Sequence, residues 1–359
     1  MLAALLYGQE DLRLENVPEP TPDAGEVVLK VRTATTCGTD LKVWRRGGHA
    51  KMLQLPTLFG HEVAGEIAAI GSGVTGWQVG DRVVANNSAP CMQCFFCDRQ
   101  EYSLCTDLSF NNGTFAEYIK IPLAIVHHNL LSIPDHVPDD LAAMTEPLAC
   151  VLHGVARSNL QEGDRVVVLG DGAIGLMFIA AMSLTKGVTP ILFGGNDQRL
   201  EIGRKLGAKY TFNYKNIPTS ATLSNHTLAR LSNDDVPGKV KQLTEGWGAD
   251  IVVEATGVPA VWEQAIACGR PGATINLFGG CPKNTTISVN TEQLHYSEMT
   301  LKGVFHNTPI YVRNALSLLA SGLLPFELLI SDRRPLADLE AVFQDMKHRR
   351  VIKVAMRPT

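Results

Sequence analysis

Cys91, Cys94, Cys97 and Cys105, spaced C-x2-C-x2-C-x7-C, constrain this chain more than any other feature. Four thiolates complete the tetrahedral shell of zinc and leave no position for a reactant, so the cluster reads as structural. An iron–sulfur cluster is the rival assignment, but the last gap is seven residues and no proline follows Cys105, unlike the bacterial ferredoxin run. Unpaired thiols packed so closely would invite oxidation. Chemistry therefore needs a second, open site. Cys37 in Cys37-Gly38-Thr39-Asp40, His61 in Gly60-His61-Glu62, and Glu146 in Thr145-Glu146-Pro147-Leu148-Ala149-Cys150 supply sulfur, nitrogen and oxygen donors. Such a mixed set holds catalytic zinc with one position left exchangeable. A lone cysteine or histidine is more often a core residue, and it is their company that points to a metal.

The 359 residues allow roughly two domains, and 45% hydrophobic content excludes disordered and fibrous classes. A formal net charge of −4, with no basic block able to neutralise a phosphate backbone, argues against nucleic acid. The apolar start, Met1 to Tyr7, lacks a basic flank and meets Glu10 and Asp11 before a signal core is complete. No apolar run approaches the roughly 18 residues of a membrane span. Of eight cysteines, five stand in metal-ligand spacings, which favours a reducing, cytoplasmic setting; Cys150, Cys268 and Cys281 are left as packing residues.

The first 150 or so residues read as short strands punctuated by glycine and proline: Val27–Val31, Val63–Ile67, Arg82–Val84 and Phe115–Ile119. From Gly163 the texture changes to apolar strands, Val166–Leu169, Ile191–Phe193, Ile251–Val253 and Thr274–Leu277, alternating with helices from Ala173 and near Arg199–Leu206. That alternation implies a parallel sheet covered on both faces, an α/β doubly wound domain. A strand near Leu301–Val304, helices near Arg313–Leu319 and Leu336–Met346, and a last strand at Lys353–Ala355 follow, and this tail is expected to return to the first domain.

Gly170-Asp171-Gly172-Ala173-Ile174-Gly175 is G-x-G-x-x-G between a strand and a helix, the context that gives the motif meaning. Gly170 allows the tight turn, Gly172 the close approach of backbone to a pyrophosphate, and Gly175 the packing of helix on strand. The acid that would bind the 2′-hydroxyl of NAD is expected about twenty residues on. Gly194-Gly195-Asn196 stands there instead. That permits NADP, toward which the sequence leans slightly, with Arg199 or Tyr214 as phosphate contacts, although Asn196 could equally bond a free ribose hydroxyl. A nucleophilic Cys37 activated by His61 would leave this dinucleotide motif unused.

Together these segments, with Gly80-Asp81-Arg82-Val83 and Glu146-Pro147-Leu148-Ala149, resemble the zinc-dependent medium-chain alcohol dehydrogenases over essentially the whole chain, in particular the polyol (sorbitol-type) and threonine dehydrogenase branch. The resemblance implies a GroES-like β-rich catalytic domain over residues 1–153, with 291–359 returning to it, and a Rossmann dinucleotide-binding domain over 154–290. A homodimer or homotetramer joined through the Rossmann sheets is implied as well. It implies that Cys37, His61, Glu62 and Glu146 serve the catalytic zinc, Glu146 directly or through the metal's water. Asp40 would orient His61, as carboxylates do for metal-bound imidazoles. Thr39 would pass the substrate proton outward. Many relatives complete that relay with a histidine five residues after the catalytic cysteine; here Lys42 stands there, so the exit is expected to run through Lys42, ribose and water. Ala173, Ile174 and Thr256 join the expected cofactor contacts, in a cleft between the domains.

The implied activity is hydride transfer between a polyol or other secondary alcohol, or its ketone, and NAD(P), with a phosphorylated polyol or L-threonine as alternatives. Trp44-Arg45-Arg46-Gly47-Gly48-His49 offers arginines for a substrate phosphate or carboxylate, or is a solvated basic loop. Phe59, Phe115 and Phe305 either shape a pocket or belong to the core. Outside this class, a non-catalytic NAD(P)-binding redox sensor or structural protein would keep the fold without needing the open site. A zinc-free reductase of the same broad fold predicts loss of ligands that this chain retains.

Overall fold

The computed structural model of the protein describes residues 1–48, 53–216 and 236–358. These form two compact units, one of residues 1–150 with 306–359 and one of residues 151–305.

In the first unit a strand at Val27–Thr35 is the spine. It pairs antiparallel with Val63–Ile70, with Tyr118–Ile121 and, at its last residues, with the C-terminal strand Lys353–Arg357. Seven of the nine residues of Val27–Thr35 are buried, Lys30 and Arg32 being the exposed pair, so the strand is covered on both sides at its two ends. Lys353–Arg357 runs parallel to Ile330–Pro335, the helix Leu339–Lys347 bridging them, and this returning segment lays Val354 beside Thr36, whose hydroxyl accepts from the Val354 amide at 3.0 Å. The expected strand at Phe115–Ile119 splits in two. Phe115 bonds to Ala4 and Phe59, Glu117 bonds both to Leu2 and to Val31 of the spine, and the strand proper begins at Tyr118.

Beneath the loops that carry Cys37 and His61 lies an aromatic cluster. Phe343 stands 5.6 Å from Trp44, 6.0 Å from Phe59 and 6.2 Å from Phe115, ring centre to ring centre. All four rings are buried, so Phe59 and Phe115 are core residues and Trp44 does not belong to a solvated loop. Arg45 and Arg46 close the helix Gly38–Arg46 at its C-terminal turn, where cations offset the helix dipole. His49 lies outside the described residues, and Phe305 is half exposed.

The second unit is a six-stranded parallel sheet in the order Tyr210–Asn213, Thr189–Gly194, Arg165–Leu169, Ala249–Glu254, Gly269–Leu277, Thr300–Gly303. The chain reverses direction across the sheet between Arg165–Leu169 and Ala249–Glu254, and open α/β sheets bind ligands at such a point. Residues 291–305, expected to return with the tail, stay with this unit, because Thr300–Gly303 adds to the sheet as its outermost strand. No helix among the described residues is long and apolar enough to cross a membrane.

Phe343 joins the returning helix to three other rings, so Phe343→Ala is expected to cost about 3–5 kcal/mol. A lowered midpoint in urea, followed by far-UV circular dichroism, measures it.

Candidate active site

The first donor set is built at the end of the spine strand. Cys37 is the N-cap of the helix Gly38–Arg46: its Sγ accepts from the Thr39 amide at 3.4 Å, and its own amide donates to Asp40 Oδ2 at 3.0 Å. The other oxygen of Asp40 lies 2.8 Å from His61 Nδ1. One buried carboxylate thus fixes both the cysteine backbone and the imidazole, and leaves His61 Nε2 on the Cys37 side. Gly60 must be glycine: its φ is +91°, and a Cβ there would fall 2.6 Å from the Phe115 ring. That turn aims His61 and Glu62 at the site.

Cys37, His61 and Glu62 present sulfur, nitrogen and oxygen atoms within 4.8 Å of one another. Burial pulls the His61 pKa down, but the charge of Asp40 and the hydrogen bonds to Asp40 and Cys37 outweigh it and hold His61 well above its ordinary value. A field that keeps a proton on a buried imidazole favours any cation at that lone pair. The donor chemistry therefore fits zinc, for which the proton and the metal compete.

Glu62 is fully buried and already engaged. Lys353 Nζ donates to both its carboxylate oxygens, at 2.9 and 2.6 Å, and to the Thr36 carbonyl at 2.7 Å; the Thr35 hydroxyl donates to Glu62 as well. Lys353 is 1% exposed, and although burial lowers an ammonium's pKa, Glu62 and Cys37 raise it above its ordinary value. Sequence reasoning missed Lys353. Its only sequence signal is a charge inside the apolar run Ile352-Lys353-Val354-Ala355-Met356.

Glu146 does not fall in that tight set. It groups instead with Cys150 and His306, again within 4.8 Å, while interacting electrostatically with His61 and Glu62. Burial raises its pKa to about 7, with His61 opposing the rise and Glu62 adding to it. Asn307 Nδ2 donates to Glu146 Oε1 and to Cys150 Sγ, each at 3.4 Å, and Asn86 Nδ2 donates to Asn307 Oδ1 at 3.1 Å. Burial pushes the Cys150 thiol far up, so it donates to Glu146 rather than acting as a spare thiolate. Cys150, expected only to pack, is part of this polar wall, as are His306 and Asn307. A small pocket opens beside the site, lined by Thr39, Val43, Leu53, Phe59, His61 and Asn112.

In the cysteine lobe, Cys94 Sγ lies 3.6 Å from Cys97 Sγ and 3.9 Å from Cys105 Sγ. A tetrahedron with zinc–sulfur arms of about 2.3 Å has edges of about 3.8 Å, so these separations suit a shared ion. They far exceed a disulfide's roughly 2 Å. Backbone amides of Thr106 and Cys97 bring Cys94 down to about 5, favouring its thiolate.

In the second unit the glycine loop sits at the switch point. Gly170 has φ +122°, and a Cβ on Gly175 would lie 1.9 Å from the Gly170 carbonyl oxygen. Gly172 caps the helix Ala173–Ser183 with no side-chain acceptor, leaving the first-turn amides for an anion. A Cβ on Gly172 would meet open space. The loop therefore fits a dinucleotide. Thr256 packs its methyl against Gly170, and both its amide and its hydroxyl donate to Glu254, a fully buried acid at the end of the Ala249–Glu254 strand, outside the glycine motif. Asn196 spends its side-chain oxygen on the Arg199 amide at 3.2 Å, capping the helix Asp197–Lys205, and Arg199 is buried. Tyr214 lies over Gly195.

Residues 23–135 match the alcohol dehydrogenase GroES-like domain, and residues 173–321 match the zinc-binding dehydrogenase domain. A sorbitol dehydrogenase of Halalkalibacterium halodurans is 32% identical, over 98% of this chain and 97% of that protein. An L-threonine 3-dehydrogenase of Pyrococcus horikoshii is 31% identical over 83% of this chain and 80% of its own. The crystal structure of 2R,3R-butanediol dehydrogenase from Bacillus subtilis superposes with a TM-score of 0.83 at 27% identity, covering 100% of this chain and 99% of that one. The chain belongs to the zinc-dependent medium-chain alcohol dehydrogenase family, polyol and threonine branch. It is an oxidoreductase of alcohols that works with zinc and NAD(P).

Removing Lys353 would strand the Glu62 carboxylate in the interior, so Lys353→Met is expected to destabilise by about 3–5 kcal/mol. The double variant Lys353→Met/Glu62→Gln should recover most of that loss. Urea denaturation of wild type, both single variants and the double measures the coupling.

Proposed function

We propose that the chain interconverts a polyol or another vicinally substituted secondary alcohol with its ketone. The observation that carries this reading is the open donor set, Cys37 and His61, beside the polar wall of Glu146, Asn307 and His306. Sorbitol, threonine and butanediol, the substrates named for its relatives, share a secondary carbinol with a second heteroatom next to it, which such a wall can bind. The phosphorylated-polyol alternative loses support, because Arg45 and Arg46 lie at the far end of their helix, about 10 Å along its axis from Thr39.

Cys37, His61 and a carboxylate, Glu62 or Glu146, would hold the catalytic zinc, and Cys91, Cys94, Cys97 and Cys105 a structural one. When bound, zinc supplies a Lewis acid for the alcohol oxygen and the dinucleotide supplies the hydride acceptor. The protein's own part is positional and protolytic. Asp40 holds His61 through Nδ1, so that only Nε2 is available for a ligand bond. Lys353 neutralises Glu62, which lets a carboxylate stand beside Cys37 without repelling its thiolate. Glu146, its pKa raised to about 7 by burial, can take up or release a proton near neutral pH beside the donor set. Thr39 Oγ1, in the exposed first turn of its helix, would accept the substrate hydroxyl's proton while giving up its own, and Lys42, one turn on, would receive that proton in its neutral amine form and release it to water.

We also keep a homo-oligomer joined through the outer strand Thr300–Gly303, whose free edge lies at the rim of the parallel sheet, and a cytoplasmic setting suited to the free cysteines. A panel of vicinal diols, polyols, threonine and simple primary alcohols, run with NAD and with NADP, tests the substrate class. Vicinal secondary alcohols should turn over best, and Cys37→Ser should lose roughly a thousandfold in kcat/KM. Best activity on primary alcohols, or undiminished activity in Cys37→Ser, would contradict the proposal.

A further inference from the structure

The end of the Thr189–Gly194 strand has no acid of its own, yet an acid is present there in space. Asp171, the second residue of the glycine loop, sends its carboxylate across to that position, where Oδ2 accepts from the amides of Gly195 and Asn196, each at 2.9 Å. Asp171 is 2% exposed. Its place explains Gly194. A Cβ on Gly194 would fall 2.5 Å from Asp171 Cβ and 2.6 Å from Oδ2, so a side chain at 194 and the Asp171 carboxylate exclude each other. At Gly195 a Cβ would fall 2.7 Å from the Tyr214 hydroxyl.

Resting on the dehydrogenase reading, we infer that Asp171 is the cofactor-selecting acid of this enzyme and that it makes the enzyme prefer NAD. In sheets of this class the adenosine ribose lies at the end of the second strand, where an acid accepts from its 2′-hydroxyl. A carboxylate supplied from the loop meets the same chemical need as one supplied by the strand. It also defeats a 2′-phosphate twice over. The phosphate carries close to two negative charges at neutral pH and would face a buried anion. The backbone amides of Gly195 and Asn196 at this strand end already donate to Asp171. Asp197, in the first turn of the next helix, adds a further negative charge. Arg199, the cation that the sequence offered as a phosphate partner, is buried within that helix rather than presented at its rim. The slight lean to NADP drawn from Gly194 is therefore reversed.

Binding of NADH and NADPH to the zinc-loaded enzyme, followed by nicotinamide fluorescence and by calorimetry, tests this apart from turnover. Wild type is expected to bind NADH at least about a hundredfold more tightly than NADPH, as like-charge juxtaposition at a contact commonly imposes. Asp171→Asn keeps an acceptor for Gly195 and Asn196 but removes the charge, and should narrow that ratio by about tenfold or more. Asp171→Asn with an unchanged far-UV spectrum and an unchanged ratio would overturn the inference. So would a wild type that binds NADPH as tightly as NADH. Failure to bind either dinucleotide would instead overturn the dehydrogenase reading on which it rests.

Discussion

The active site depends on a buried ion pair between two residues 291 positions apart, Glu62 and Lys353. Burying either charge alone would cost several kcal/mol. Both are removed from water because the C-terminal strand returns and pairs with the last residues of the spine, which carries Lys353 to the floor of the Cys37–His61 loop. The pair then sets the local field. With Glu62 neutralised by Lys353, the negative charge that acts on His61 is that of Asp40, held at Nδ1, which leaves Nε2 for a ligand. A cation is the natural occupant of that field.

The same economy operates in the dinucleotide unit. Buried acids, Asp171 and Glu254, stand at the carboxyl edge of the parallel sheet and accept from the backbone amides of Gly195 and Asn196 and of Thr256 and Gly257. Glycines stand where these carboxylates or their loops would meet a Cβ: Gly194 against Asp171, and Gly279 against Glu254 at 2.6 Å. Loop shape and local charge are set by one group of residues.

Much of this was legible in the sequence because the signals are local. C-x2-C-x2-C-x7-C, Cys37-Gly38-Thr39-Asp40 and the glycine loop each lie within fifteen consecutive residues, so spacing alone implies geometry. Lys353, His306 and Asn307 escaped because they reach the site only through strand pairing and chain return, for which one sequence carries no register. Asp171 escaped for a different reason: the acid was sought at the position where a strand would supply it, and its work is done by a neighbouring loop. The tail was read as returning from residue 291 because the helix Thr291–Tyr296 and the strand Thr300–Gly303 carry no mark of which sheet they join. Parallel pairing with Gly269–Leu277 decides that.

We propose that one chain provides two zinc sites of different character, one closed by four thiolates and one open beside a neutralised carboxylate. Anomalous diffraction at the zinc edge from crystals of the purified enzyme tests it directly. Two peaks are predicted, one within about 2.3 Å of all four sulfurs of Cys91, Cys94, Cys97 and Cys105, the other within about 2.0–2.3 Å of Cys37 Sγ and His61 Nε2. A single peak confined to the cysteine lobe, in an enzyme that still oxidises alcohols, would contradict the account.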